Sequence, residues 1–219
     1  MKDRILRAVI AFMALGLAWG IWPVDEAFAG LDIDLAGTLK VGDDSDVFLS
    51  VSARYFRQDR NDIEELNGRC RNPDDLAVLL FLSRRTGESP ALILKLRREG
   101  LSWWKIGQQL GVNVEIWFVP VKRDPGPPYG KAYGHWREHR KDKHYVMNLS
   151  DGDIRNLVAV RMLHEYYGVE AEVAMQWRSS GQDLRSLTAG EYQKRHGKAH
   201  SGDKSAEKGN KGKRKAHGR

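Results

Sequence analysis

Hydrophobic positions between Asp75 and Val112 follow helical spacing, with the punctuation of three short helices in place. Leu76, Val78, Leu79, Leu80, Phe81 and Leu82 make the first stretch apolar nearly all round, the pattern of a helix buried at the centre of a domain. Asn72-Pro73-Asp74 supplies a boundary and an N-cap, and Gly87 falls where a left-handed C-terminal cap is needed. Ser89-Pro90 opens a second helix, Ile93 and Leu96 turn toward the core, and Gly100 closes it. Ser102 caps a third helix with Trp103, Ile106 and Leu110 on one face, and Gly111 ends it.

The pattern returns downstream at one constant offset, without a gap. Leu76 meets Leu157, Leu82 meets Leu163, Gly87 meets Gly168, Arg97 meets Arg178 and Gly100 meets Gly181. Apolar positions also pair: Phe81 with Met162, Leu92 with Val173, Leu96 with Trp177, and Ile106 with Leu187. Turn glycines and core positions recurring in phase predict an internal duplication of a three-helix unit, its copies packed through their first helices.

Elsewhere the period changes. Leu31, Ile33 and Leu35, then Val47, Leu49, Val51, Ala53 and Tyr55, alternate with other residues and predict a small β-hairpin turning at Gly42 to Asp46. Between the copies, Pro125, Gly126, Pro127, Pro128, Gly130 and Gly134 predict a loop. From Gln193 onward apolar residues nearly vanish, which predicts disorder. The expected fold is thus mainly α: a β-hairpin segment over 30–60, helical modules over 61–118 and 151–192, a Pro/Gly/aromatic basic loop over 119–150, and a disordered basic tail over 193–219.

The segment from Met1 to Ala29 stands apart. Lys2, Arg4 and Arg7 precede an apolar run from Ala8 to Trp22, and Ala27-Phe28-Ala29 follows, the pattern of a signal peptide cut before Gly30. The run falls short of the roughly 20 apolar residues that span a bilayer. Cleavage therefore leaves no stable transmembrane segment, and the mature chain is expected to be periplasmic or secreted. Cys70 is the single cysteine, so no internal disulfide forms; it is expected to be buried and inert, the alternative being an intermolecular bridge. The chain's net charge of +7 is concentrated in the tail, where ten Lys and Arg oppose only Asp203 and Glu207, leaving the rest close to neutral.

Candidate chemistry gathers in the loop. Tyr129, Tyr133 and Trp136 interleave with Lys131, Arg137 and Arg140, the composition of a contact surface. Trp104 joins them, because Trp103 takes the core stripe and its neighbour points about 100° away. The expected role is a non-enzymatic interaction or structural module of the cell envelope. Its partners would be an envelope protein or a polyanion, lipid phosphate or nucleic acid, held weakly through the tail. No Ser-His-Asp set, paired cysteine or glycine-rich phosphate loop stands out, and no cofactor is expected.

Two alternatives remain. His135-Trp136-Arg137-Glu138-His139 fits the H-x-x-E-H pattern of a zinc-dependent hydrolase, given a helix and a third ligand from Glu165, Glu170, Glu172 or Glu191. LSWWKIGQQLGV resembles the first helix of a DNA-binding helix-turn-helix, but the polar, basic recognition helix that should follow is replaced by the apolar run Val112 to Pro120. Taken together, the signal peptide, the two units and the intervening GPPYGKAYGHW resemble a group of exported bacterial proteins that carry two helix-turn-helix-like modules around such a loop. The resemblance implies the architecture and transfers no catalytic residue.

Overall fold

Helix caps place the chain's elements. The structure, a computed structural model, describes residues 43–206, all within one compact unit, and these residues form nine α-helices and no strand. They are α1 (Asp44–Phe56), α2 (Arg60–Arg69), α3 (Pro73–Thr86), α4 (Pro90–Arg98), α5 (Trp103–Gln109), α6 (Gly130–Lys141), α7 (Asp151–Tyr167), α8 (Ala171–Ser179) and α9 (Leu184–Ala206). A 3-10 turn, Val114–Trp117, stands between α5 and α6.

The central pair is α3 and α7, packed on each other. Asn72 accepts the Asp75 amide at 2.8 Å, Pro73 opens α3, and every residue from Asp75 to Leu82 is buried, as the nearly unbroken apolar run requires. Ser150 and Asp153 form a reciprocal capping box at the start of α7. Both helices end in a left-handed glycine, Gly87 at φ 76° and Gly168 at φ 63°. Short helices follow each: α4 and α5 after α3, α8 and the start of α9 after α7.

Three expectations are corrected. Val47 to Tyr55, which the alternation predicts as the second strand of a hairpin, is the body of α1. Asp43 is its N-cap, accepting the Ser45 amide at 2.9 Å, so the acidic cluster starts a helix instead of turning a hairpin. Phe48 and Phe56 occupy slots that an amphipathic strand would leave polar, and α1 buries apolar side chains on several sides, beneath α9 and against α3. The first strand, at 31–35, lies outside the described residues.

The second correction concerns the 119–150 loop, much of which is α6. Gly130 does not break this helix. A Cβ there would stand 2.9 Å from the Pro125 carbonyl, so glycine lets the helix begin against the preceding chain. Third, the stretch expected to lose structure at Gln193 continues as α9 through Ala206. Its anchorage is visible up to His196: Tyr192 is buried and stacks near His196 at 4.3 Å, while Arg195 donates to the Tyr167 carbonyl and lies over that tyrosine's ring. The signal-peptide segment and residues 207–219 lie outside the described residues. No described helix is long and apolar enough to cross a membrane.

Candidate functional site

The aromatic residues expected to form a contact surface face inward. Tyr129, Tyr133, Trp136 and Arg140 follow helical spacing, so three of them share one side of the α6 region and Arg140 extends the stripe. Phe118 stacks flat on Trp136 with ring centroids 4.8 Å apart and meets Tyr133 edge-on. The Tyr133 hydroxyl donates to the Val119 carbonyl at 2.7 Å, and the Trp136 indole donates to Glu115 at 2.7 Å. Trp136 is only 9% exposed and the two tyrosines 2%.

The positive charges between them stay outside, but most are engaged. Arg137 pairs with Asp124, Arg140 covers the Trp136 ring, and Lys131 is exposed. Trp104, expected at the surface, is 4% exposed. Its helix is seven residues long and packs on α4 and α7, so Trp103, Trp104, Ile106 and Gly107 are all buried. The loop surface expected from composition is therefore core with a charged rim.

The helix required by H-x-x-E-H is present, and His135 and His139 lie one turn apart on it. The ligand set is not assembled. His135 Nδ1 shares a 2.7 Å hydrogen bond with the Tyr145 hydroxyl. Glu165 is held by Arg161 and Tyr55, Glu170 by Lys122, Glu172 by the Lys122 amide, and Glu191 by Lys194. Among the described residues no group of three metal-ligating side chains converges. The DNA-reading geometry is likewise incomplete: after α5 comes the 3-10 turn, with Trp117 buried, and no helix starts before Gly130.

The site that the structure does assemble carries no motif in the sequence. A cleft of about 330 Å³ opens between the end of α2, the outer side of α4 and the start of α5. Arg69, Cys70 and Arg71 form one wall; Leu94, Arg97 and Arg98 form another; Trp103 and Asp151 close the inner end. Two carboxylates organise that end. Asp75, 4% exposed, accepts from the Trp103 indole and from Arg155 Nε, each at 2.8 Å. Asp151 accepts from the Trp103 amide at 2.7 Å and from Arg97 at 2.9 Å, while Arg97 lies over the Trp103 ring.

Both acids are thus satisfied by Trp103 and Arg97 of the cleft's own inner lining and by Arg155, leaving its open side cationic. Arg71 and Arg98 are exposed and have no hydrogen-bond or ion-pair partner among the described residues, and Arg69 pairs only with Glu65, one turn back on α2. Burial, and next the Asp75 carboxylate, push the Cys70 thiol up to about 11. A protonated thiol is a poor nucleophile; Cys70 itself is half-buried, where the sequence reading expects a buried residue. In sequence these arginines form two short groups, Arg69 with Arg71 and Arg97 with Arg98, far apart along the chain; only the crossing of α2, α4 and α5 gathers them.

No protein-family model matches the chain, and neither a curated protein nor a solved structure matches it.

Proposed function

We propose that this chain is an exported, non-enzymatic interaction protein of the cell envelope, whose body is a duplicated three-helix unit and whose basic surface meets anionic partners. One observation carries the reading: Arg97 and Arg178, equivalent under the offset that takes Gly87 to Gly168, each reach a carboxylate in the first turn of the other unit's long helix, although Asp151 and Asp74 are not themselves related by that offset. Arg97 of α4 reaches Asp151 at the start of α7 and donates to the Leu101 carbonyl. Arg178 of α8 reaches Asp74 at the start of α3 and donates to the carbonyl of Gln182, the equivalent of Leu101. Helix starts share the offset, Pro90 with Ala171 and Trp103 with Leu184. Each unit thereby ties down the first turn of the other's long helix, where a carboxylate also faces the positive helix end.

The carboxylates Asp74, Asp75 and Asp151 are all paired within this framework, which favours a scaffold. Export rests on the N-terminal charge and hydropathy pattern, and polyanion affinity on the basic C-terminal residues. The purified chain is expected to retain an anionic polymer such as polyphosphate weakly. Retention should fall steeply as salt rises and drop further when residues 207–219 are removed. Stoichiometric zinc that disappears in His135→Ala, or retention unchanged at high salt, would replace this reading with an enzymatic or a site-specific one.

A further inference from the structure

We propose that the cleft between the Arg69–Arg71 segment and Arg97–Arg98 is a binding site for a phosphate-class dianion, held chiefly by Arg71 and Arg98. Charge placement is the first ground. Asp75 and Asp151 are each occupied by two donors from the framework, whereas Arg71 and Arg98 have no partner among the described residues. The Arg69–Glu65 pair is an exposed helix-surface contact, of a kind worth little, so Arg69 is available as a third cation. Guanidinium groups present planar donor forks that match phosphate oxygens in pairs, and a dianion gains from meeting more than one.

The second ground is a comparison of the two units, and it rests on the duplicated reading of the body. Under the same offset Leu94, Arg97 and Arg98 fall on Met175, Arg178 and Ser179. There the chain itself covers part of the position and leaves a smaller cleft of about 250 Å³. The Pro125–Tyr129 segment borders Met175 and Ser179, the Ser179 hydroxyl donates to the Pro127 carbonyl at 3.4 Å, and the buried Tyr129 hydroxyl stands beside Arg178. The Arg178 side chain is accordingly 9% exposed, against 20% for Arg97. In the first unit the matching socket is an open cleft, and the serine position carries Arg98. One socket is partly covered by the chain's own Pro125–Tyr129 segment; its counterpart is larger and lined with cations.

Two sources could present such a group, a free phosphate compound or a phospholipid headgroup, and the test separates them. Inorganic pyrophosphate is titrated calorimetrically into the purified full chain, and into the same chain with R71Q and R98Q, both exposed positions whose loss leaves the framework contacts intact. Saturable one-to-one binding that weakens at least tenfold in the double variant is expected. Flotation with phosphatidylglycerol vesicles is run in parallel: dependence on Arg71 and Arg98 there assigns the headgroup, and dependence in the pyrophosphate arm alone assigns a free phosphate. Equal behaviour of the two proteins in both arms overturns the site. That outcome would leave the polymer-retention and zinc results standing, so failure of the cleft is distinguishable from failure of the scaffold reading.

Discussion

Gly107 shows how much of this molecule is decided atom by atom. A Cβ at that position would lie 2.7 Å from Trp117 Cζ2, inside any tolerable contact. The Trp117 ring is 1% exposed and packs 5.2 Å from Phe81, so it has little room to retreat. Gly107→Ala is therefore expected to cost about 1–3 kcal/mol, despite the higher helix propensity of alanine. Urea unfolding checks this; a variant as stable as the parent would mean that the ring moves aside freely. Nothing in the sequence marks Gly107 as a contact residue, because the ring it meets belongs to a later turn outside its helix. Gly130 is similarly opaque: among prolines it reads as a breaker, yet it admits a carbonyl.

At the scale of elements, legibility follows the capping chemistry. Asn72, Gly87, Ser89, Gly100, Ser102 and Gly168 all stand at the helix boundaries they signal, and the apolar run of α3 is central. The helices α1 and α6 escape a sequence reading because their signals are ambiguous. Alternating apolar residues in α1 also satisfy helical spacing once Phe48 and Phe56 are counted, and only contact with α9 and α3 decides between the two periods. In α6 the Tyr129, Tyr133, Trp136, Arg140 spacing is a helical stripe present in the sequence but outweighed by the glycines.

The helices α1, α3 and α7 meet in a polar cluster that makes a pH prediction. Tyr55 of α1 donates to Glu165 of α7 at 2.5 Å, Arg161 pairs with it at 2.5 Å, and Arg85 of α3 stands at 3.7 Å. Burial alone would push the Glu165 carboxyl up, but Arg161, the Tyr55 hydroxyl and Arg85 together hold it below the usual glutamate range. A depressed carboxyl contributes stability that is fully present above its unfolded value, about 4.3, and is lost as pH falls through the folded value. Glu165→Gln should cost about 1–2 kcal/mol at neutral pH, discounted for partial exposure, and flatten the acid limb of the stability profile. Parallel acid limbs for variant and parent, followed by circular dichroism, would assign the acid sensitivity elsewhere.

For the whole molecule, the mainly α class is readable from composition and period, while the location of any binding surface is not. Aromatic-rich, basic sequence draws attention to 119–150, whose rings instead cement Phe118 and Glu115 to α6. The cationic cleft draws on α2, α4 and α5, whose residues carry no shared motif. Around the packed α3–α7 core, the proposed duplication assigns a tie to each unit, Arg97 with Asp151 and Arg178 with Asp74, at 2.9 Å each. Both are partly shielded from water, and removing one partner leaves a carboxylate facing a gap at a helix start.

Equilibrium urea unfolding of Arg97→Gln and Arg178→Gln tests this central claim most directly. Each variant is expected to unfold in a single transition with its midpoint lowered by a comparable amount, corresponding to about 1–3 kcal/mol after allowance for exposure. If either variant matched the parent's midpoint, or if one substitution split the unfolding into two transitions, the halves would not be held together by the paired arginine contacts.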